Sequence, residues 1–290
     1  KGPKFMHYDP YITIMTGIEF DHADIFTDID HIKSVFRNLA EKASASGRII
    51  AYEPNRNLVD VLGGIKGDID FYGPESQWSV RNHQTADNHT GFQVCGPETE
   101  FNVTTRMVGE HNASNALACS IAACRIGIEP EIIQKALYSF QGIKRRQEIR
   151  GIKNNITVMD DFAHHPTAVR ETLIAVREHF SKNRLIAVFE PRTHSSMRKV
   201  FQQEYVSVFD PADRVCIRRP SLLGKVPEGE RLSSRKLVED LTKRGKAAVH
   251  FEDAESIIDD LAATSTRGDV ILIMSNGGFD NIHERLLEAL

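Results

Sequence analysis

The sequence has few cysteines and almost no excess of charge of either sign. Four cysteines occur among 290 residues, and no two of them have the Cys-x-x-Cys spacing. This argues against a disulfide framework and favours a reducing, cytoplasmic location, with Cys119 and Cys124 buried as small hydrophobic side chains in an apolar helical run. The formal net charge is only −4. The chain therefore offers no basic field, and we expect no nucleic-acid partner.

Long apolar runs and glycine-rich nucleotide-binding motifs are also missing. No stretch of about 18 apolar residues occurs, so we expect no membrane-spanning segment and no membrane partner. No Gly-x-Gly-x-x-Gly follows a predicted strand, which argues against a dinucleotide-binding domain. A Gly-x-x-x-x-Gly-Lys-[Ser/Thr] loop, which would cradle phosphates with its backbone N–H groups, is absent as well.

The first half of the chain alternates short β-branched runs with amphipathic segments. A content of 41% hydrophobic and 26% charged residues is that of a soluble globular protein, and the length allows two domains. Strands are predicted at 11–16 and Arg48–Tyr52. Helices are predicted at 29–43, in an alanine-rich run through Ile126, and at 131–140. Small antiparallel strands are predicted at 69–72, 78–81, 92–94 and 101–103.

Beyond residue 150, strands and helices alternate regularly. Strands are predicted at 156–159, Leu185–Phe189, 214–217, 247–250 and Val270–Met274. Helices are predicted at 167–180, 197–209, 233–242, 254–263 and 279–290. Such repeated βα units imply a parallel sheet with helices on both faces, so the predicted fold class is α/β.

Polar side chains gather where three of these strands end. The loop after 156–159 carries Asp160, Asp161, His164 and His165. The loops after Leu185–Phe189 and Val270–Met274 carry Arg192 and the run Ser275, Asn276, Gly277. Open α/β sheets bind ligands at this edge. The Ser-Asn-Gly-Gly run also offers free backbone N–H groups to an anion such as a carboxylate, although a simple turn with a helix cap has the same pattern.

Three motifs in the first half leave more than one interpretation open. The acids and histidine of Glu19-Phe-Asp-His22 suit helix capping, or a divalent cation and phosphates. Asn112 and Asn115 share one helix face beside His111; one asparagine is explained as an N-cap, but the second is not. Adjacent arginines in Lys144-Arg-Arg146 are usually solvated, yet a guanidinium is also suited to binding phosphate.

Taken in order, these motifs resemble those of the Mur ligase superfamily, the ATP-dependent amide-forming enzymes of peptidoglycan synthesis. Glu19-Phe-Asp-His22 is similar to the segment whose histidine helps to hold a magnesium ion. His111-Asn-Ala-Ser-Asn115 is similar to the signature that contacts the adenine side of ATP. Gly142-Ile-Lys-Arg-Arg146 matches a run that delivers an arginine to the phosphates, and Asp-Asp-Phe-Ala-His-His-Pro matches a nucleotide-contacting loop.

The resemblance implies ATP and Mg²⁺ as cofactors and assigns roles to the matching residues. It implies that the metal ligand is His22 and that the catalytic residues are His22 and Arg146. The implied ATP contacts are His111, Asn112, Asn115, Arg146, Asp161 and His164. The implied peptide contacts are Arg192, Ser275, Asn276 and Gly277.

The resemblance also implies an architecture and a reaction. Residues 1–148 would be the later part of the central ATP-binding domain, and residues 149–290 a Rossmann-like, doubly wound C-terminal domain that binds the peptide. The residues of these motifs most resemble those of the branch that joins L-Ala-γ-D-Glu-meso-diaminopimelate to UDP-N-acetylmuramate through an acyl phosphate in peptidoglycan recycling. The L-alanine-adding branch and a non-catalytic nucleotide- or peptide-binding module are the alternatives. Because the family's UDP-binding domain and phosphate loop should precede Lys1, we expect these 290 residues to need that N-terminal region as a partner and to be inactive alone.

Overall fold

The computed structural model describes residues 3–22, 25–86, 89–222, 224 and 226–290. The chain forms two compact units, Lys1–Gln141 and Gly142–Leu290. The boundary predicted from the sequence lies later, after residue 148. The difference arises because the segment before it bonds to the second unit. The N–H of Gln147 donates to Asp161, and the carbonyl oxygen of Arg145 accepts from the N–H of Phe162.

The first unit contains a parallel three-stranded sheet in the order β1-β2-β3. The strands are β1 (Ile12–Met15), β2 (Arg48–Tyr52) and β3 (Asp68–Tyr72), and the crossover helices are α1 (Ile29–Ser46) and α2 (Arg56–Leu62). A short 3-10 helix, Lys4–His7, precedes β1. Both crossover helices begin at a side-chain cap: Asp28 accepts from the N–H of His31, and Asn55 from the N–H of Leu58.

Strand β3 corrects the predicted topology. The segment 69–72 is expected to belong with the antiparallel strands that follow it, but β3 pairs with β2 in parallel. Helix α2 supplies the crossover that a parallel pair requires, and the sequence analysis does not predict this short helix. The next three strands form the predicted antiparallel sheet, and they are β4 (Ser79–Ala86), β5 (His89–Cys95) and β6 (Glu100–Thr105).

Helices α3 (Glu110–Arg125) and α4 (Pro130–Ser139) complete this unit. Leu117 and Ile121 of α3 are buried in a core that also contains residues of β2 and β5. The predicted burial of both cysteines is wrong, because Cys119 is exposed and Cys124 is only partly buried. Cys119 lies on the opposite side of α3 from Leu117 and Ile121, as its spacing along a helix requires.

The second unit contains a six-stranded sheet in the order β11-β10-β9-β12-β8-β7. Its strands are β7 (Glu148–Lys153), β8 (Ile156–Asp161), β9 (Leu185–Phe189), β10 (Arg214–Arg218), β11 (Ala247–Phe251) and β12 (Val270–Met274). Strands β8 to β12 are parallel, as predicted. Strand β7 is antiparallel to β8 and is not predicted. Asn154 and Asn155, with φ values of 50° and 64°, form the tight turn that joins the two strands.

Helices lie on both faces of this sheet. They are α5 (Pro166–His179), α6 (Glu204–Val208), α7 (Ser234–Lys243), α8 (Ala254–Thr264) and α9 (Ile282–Ala289). The crossover through α5 leads from β8 to β9, and the crossover through α8 leads the opposite way along the sheet, from β11 to β12. Right-handed crossovers in opposite directions put their helices on opposite faces, so the predicted doubly wound fold is confirmed. The carboxyl ends of β8, β9 and β12 meet where the strand order reverses, which is where such sheets bind ligands.

Two predicted helices are shorter than expected. The segment 197–209 forms a 3-10 turn, Lys199–Phe201, followed by the short α6. The last α-helix begins at Ile282, because the preceding turn Phe279–Asn281 has left-handed φ values of 45°, 54° and 56°. Another 3-10 turn covers Glu228–Glu230. No helix in the described part of the chain has the length and apolar character needed to cross a membrane.

Candidate functional site

Strand β8 brings two carboxylates to the carboxyl edge of the second unit's sheet. Asp160 and Asp161 are predicted to lie on the loop after the strand, but they are its last two residues and each is only 2% exposed. Consecutive side chains of a strand point to opposite faces of the sheet. The two carboxylates therefore contact different groups.

The carboxylate of Asp161 fixes two loops. Its Oδ2 accepts from the N–H of Gln147 at 2.8 Å, and its Oδ1 accepts from the N–H of Ala163 at 2.7 Å. The hydroxyl of Thr172 lies farther away, at 3.5 Å from Oδ1. Burial raises the pKa of Asp161, and the two backbone hydrogen bonds offset only part of that rise. Asp161 thus holds the segments that carry Arg146 and His164, and its own contact with ATP stays a prediction.

The carboxylate of Asp160 binds basic side chains. Arg145 Nε lies 3.3 Å from Oδ2, Arg150 Nη1 lies 3.7 Å from Oδ2, and His283 Nε2 lies 3.3 Å from Oδ1. Burial acts to raise the pKa of Asp160, but His283 and the two arginines hold it below its usual value. Asp160 is therefore a fixed negative charge that orients Arg145. No motif in the sequence indicates the part played by His283.

The two adjacent arginines have different environments. Arg145 has a left-handed backbone with φ of 60°, and its Nη2 donates to the carbonyl oxygens of Ser275 and Gly277. Arg146 is exposed, its guanidinium lies 5.3 Å from the centre of the Phe162 ring, and no ion pair of Arg146 occurs among the described residues. Arg145 therefore has a structural role, which the sequence did not indicate, and the exposed Arg146 stays the candidate for binding phosphate.

His164 lies beside the same aromatic ring. Its imidazole is edge-on to Phe162, with 5.4 Å between ring centres, and its Nδ1 is 2.9 Å from the carbonyl oxygen of Phe162. Because a carbonyl only accepts, Nδ1 carries a proton and donates it to this oxygen. The hydroxyl of buried Tyr205 donates to the carbonyl oxygen of His164 and fixes the loop backbone. The neighbouring His165 precedes α5 without a side-chain cap and packs edge-on against Phe201.

The two loops predicted to bind the peptide lie against each other. The Arg192 side chain crosses Gly277 so closely that a β-carbon at residue 277 would lie 2.4 Å from its Cδ and Nε. Only glycine leaves room for this approach. The structure thus brings Arg192 to the Ser275–Gly277 turn, and the role of these residues in binding a peptide stays a prediction.

Not every N–H of this turn is free, contrary to the expectation from the sequence. The N–H of Ser275 donates to the carbonyl oxygen of Asp161 at 3.0 Å, and the N–H of Gly277 donates to Ser275 Oγ at 3.0 Å. The side-chain oxygen of Asn276 is buried and has no hydrogen-bond partner among the residues that the structure describes. The turn therefore has an internal hydrogen-bond pattern that restricts which groups can meet a ligand.

A buried glutamate that the sequence analysis missed lies under these loops. Glu190 is completely buried directly after β9. Arg218 Nη1 donates to it at 2.7 Å, Ser275 Oγ donates to it at 2.6 Å, and Arg192 Nη1 lies 3.6 Å away. The signal that could have identified Glu190 is an acidic residue immediately after a continuous apolar strand.

In the first unit, His22 follows β1 and is exposed. It has a left-handed backbone with φ of 51°, and its N–H donates to Asp21 Oδ1 at 2.6 Å. Ala23 and Asp24, which belong to the same predicted motif, lie outside the described residues. Within the described ranges, no group of three or more His, Cys, Asp or Glu side chains is arranged to hold a metal ion. His22 as a metal ligand stays a prediction.

The start of helix α3 carries His111 and both candidate asparagines. The interpretation of one asparagine as the N-cap is wrong, because Gly109 occupies that position with φ of 94°. Asn112 Nδ2 donates to the carbonyl oxygen of Val108 at 2.8 Å. Asn115 is exposed one turn along the helix, and its side chain has no hydrogen bond within the described ranges. The Asn115 amide is therefore presented to solvent as an adenine contact would require.

Known protein domains match both units. The Mur ligase middle domain matches residues 4–123, and the glutamate ligase domain of Mur ligases matches residues 145–277. UDP-N-acetylmuramate–L-alanyl-γ-D-glutamyl-meso-2,6-diaminoheptandioate ligase from Escherichia coli is 35% identical over 293 residues, which cover 100% of this chain and 62% of that protein. UDP-N-acetylmuramate–L-alanine ligase from Acetivibrio thermocellus is 33% identical over 290 residues, which cover 98% of this chain and 61% of that protein.

A solved structure gives the same result. The crystal structure of a murein peptide ligase from Psychrobacter arcticus has a TM-score of 0.69 and 30% identity, and the match covers 99% of this chain and 58% of that one. The chain thus spans less than two thirds of the length of these relatives. Since two consecutive domains of one family account for most of the chain, and the relatives align along nearly all of it, the chain belongs to the Mur ligase family.

Proposed function

We propose that this chain forms part of an ATP-dependent ligase that joins L-Ala-γ-D-Glu-meso-diaminopimelate to UDP-N-acetylmuramate. The observation that carries the proposal is the contact of Arg192 with Gly277, which puts a guanidinium against a glycine-containing turn. A guanidinium beside backbone N–H groups is suited to binding a carboxylate, and the tripeptide has several. The name of the E. coli relative, which aligns with the whole chain, supports the choice of this substrate.

The proposed reaction consists of two displacements. A carboxylate oxygen of the muramate attacks the γ-phosphorus of ATP, and ADP leaves, which gives an acyl phosphate. The free amine of the tripeptide then attacks the acyl carbon, and inorganic phosphate leaves as the amide forms and the amine loses a proton. Phosphoryl transfer of this kind depends mainly on positioning and on neutralising charge.

The residues of this chain are suited to several parts of that task. Arg146 would offer a planar, permanently charged guanidinium to the phosphates while Phe162 supports it from one side. His164, whose Nδ1 is bonded to the carbonyl oxygen of Phe162, would lie beside the nucleotide on the same loop. Asn115 carries both a donor and an acceptor, which is the pair that an adenine edge requires.

The described residues do not by themselves fit a complete magnesium site. Mg²⁺ prefers about six oxygen ligands, whereas the candidate ligand His22 offers a nitrogen. The described part of the chain also has no three-ligand group around it. We therefore assign no step of the reaction to a metal held by this chain.

A second candidate is the ligation of L-alanine to the same nucleotide sugar. It is favoured by the A. thermocellus relative, which carries that name and is 33% identical. The two candidates share the ATP chemistry and differ only in the amine, so the residues that separate them must lie where the amine binds.

The experiment measures ADP release by the complete protein with ATP, magnesium and UDP-N-acetylmuramate, and with tripeptide or L-alanine supplied separately. The proposal predicts turnover with tripeptide and the background rate with L-alanine. Turnover with L-alanine alone would establish the second candidate instead. An Arg192→Ala variant serves as the site control, since it should raise the KM for the amine substrate and leave the KM for ATP unchanged.

A further inference from the structure

The turn that follows β12 is held by two charged side chains. The carbonyl oxygens of Ser275 and Gly277 both accept from Nη2 of Arg145, at 2.5 and 2.7 Å. Ser275 Oγ donates to Glu190 at 2.6 Å and accepts from the N–H of Gly277 at 3.0 Å. Arg145 thus fixes the main chain of the turn, and Glu190 fixes its only hydroxyl group.

This arrangement determines which N–H groups of the turn can meet a ligand. In a trans peptide the C=O and the following N–H point in opposite directions, and no peptide bond in the described chain is cis. Because the carbonyl oxygens of Ser275 and Gly277 point to Arg145, the N–H groups of Asn276 and Gly278 point away from it. Neither of these N–H groups has an acceptor among the described residues.

Glu190 also determines the position of a second guanidinium, that of Arg192. Its closer basic partner is Arg218, at 2.7 Å, and Arg218 in turn binds Asp280 at 2.6 Å. Arg192 is the outer partner of Glu190, at 3.6 Å, and its side chain extends across Gly277. Arg192 is thus held by Glu190 only at 3.6 Å, through Nη1, so the other N–H groups of its guanidinium can pair with an incoming anion.

We infer that Glu190 is a positioning residue for the amine substrate, an inference that rests on the proposed ligase function. It holds Ser275 and Arg192 in place without touching the substrate. The N–H groups of Asn276 and Gly278 then form, with the Arg192 guanidinium, a site for one carboxylate of the incoming amino acid or peptide. The site recognises a carboxylate-bearing amine and has no part in binding ATP.

The test is steady-state kinetics on the complete protein with Glu190→Gln, which keeps the size of the side chain and removes its charge. We expect the KM of the amine substrate to rise about tenfold, because a buried donor is left without its acceptor. The kcat and the KM values for ATP and UDP-N-acetylmuramate should stay within about twofold. Ser275→Ala should raise the same KM. The KM of the double variant should not exceed that of the more impaired single variant, because both changes break one hydrogen-bonded unit.

Asp260→Asn is the matched control. Asp260 pairs with Arg214 at 2.7 Å, and Arg214 is the first residue of β10, at the opposite end of the sheet from the proposed site. This variant loses a comparable ion pair, so it reports the effect of a lower stability alone. Its KM values should equal those of the wild type.

Three kinetic results would overturn the inference: an unchanged amine KM in folded Glu190→Gln, an equal rise of all three KM values, or the same rise in Asp260→Asn. A wild-type protein that turns over neither tripeptide nor L-alanine would refute the proposed function instead. The backbone amide NMR signals of Asn276 and Gly278 then decide the inference during addition of tripeptide. Shifts in the wild type that shrink in Glu190→Gln would support it, and their absence would overturn it.

Discussion

Replacing Asp161 with asparagine tests whether this side chain fixes the two loops that carry Arg146 and His164, which are predicted to bind the nucleotide. The buried carboxylate accepts from the N–H of Gln147 and from the N–H of Ala163. The first bond fixes the loop that carries Arg146, and the second fixes the loop that carries His164. Asp161→Asn keeps the shape of the side chain but has one oxygen in place of two. One of the two backbone N–H groups must therefore face an NH₂ group instead of an acceptor.

The expected magnitude follows from these contacts. A buried N–H left without an acceptor costs about 1–3 kcal/mol, and the remaining bond loses the assistance of the charge. The variant gains something in return, because burial raises the pKa of Asp161 and the neutral amide has no such burial cost. We expect local opening of these loops to become easier by about 2 kcal/mol, or roughly thirtyfold.

Amide hydrogen exchange is the appropriate assay, because a chain of two units need not unfold in one step. Peptides that contain Gln147 and Ala163 should exchange roughly thirtyfold faster in Asp161→Asn, with peptides from the first unit unchanged. Thr172→Val is the control, since it removes only the long 3.5 Å contact and should change exchange little. The reasoning is refuted if both loops exchange at the wild-type rate in Asp161→Asn, or if Thr172→Val has an equal effect.

Three further predictions address other parts of the chain. Asp70→Asn should destabilise the first unit by about 2 kcal/mol at neutral pH, because breaking a buried ion pair costs about 3–5 kcal/mol before allowance for the partly exposed arginines. Burial acts to raise the pKa of Asp70, but Arg125 and Arg48 hold it below its usual value. The stabilisation is therefore complete above the unfolded pKa and lost as pH falls through the lower folded pKa, so the urea midpoints of wild type and variant should converge in acid; a constant difference would contradict this. Gly277→Ala should displace Arg192 and raise the KM of the amine substrate about tenfold in steady-state assays, whereas Gly229→Ala, where no atom lies within 4 Å of the new methyl, should not. The 290-residue chain alone should release no ADP above background, because it has no phosphate-cradling loop; release that depends on both substrates would contradict this.

The central strands of the second unit could be predicted to the residue, because strands buried on both faces are continuous apolar runs. Both Leu185–Phe189 and Val270–Met274 are buried throughout. Strand β7 lacks this signal, because it is an edge strand with exposed Ile149 and Ile152 and a bulge near Arg150. Its Asn-Asn turn was the available clue to the hairpin.

The candidate site could be predicted as a set of loops but not as a set of contacts. Motif order indicated where Arg146, His164 and Arg192 lie along the chain. It could not indicate that Asp161 is occupied by backbone N–H groups, because those come from loops whose path depends on the folded unit. For the same reason the sequence could not separate the structural Arg145 from Arg146.

A competition between the two amines decides whether the substrate is the tripeptide. The complete protein receives ATP, magnesium, UDP-N-acetylmuramate, and equal concentrations of tripeptide and L-alanine, and mass spectrometry identifies the product. The ratio of the two products equals the ratio of the two kcat/KM values. We expect UDP-N-acetylmuramoyl-tripeptide to be the dominant product. A dominant UDP-N-acetylmuramoyl-L-alanine would contradict it, and would assign the loops around Arg192 to a single amino acid.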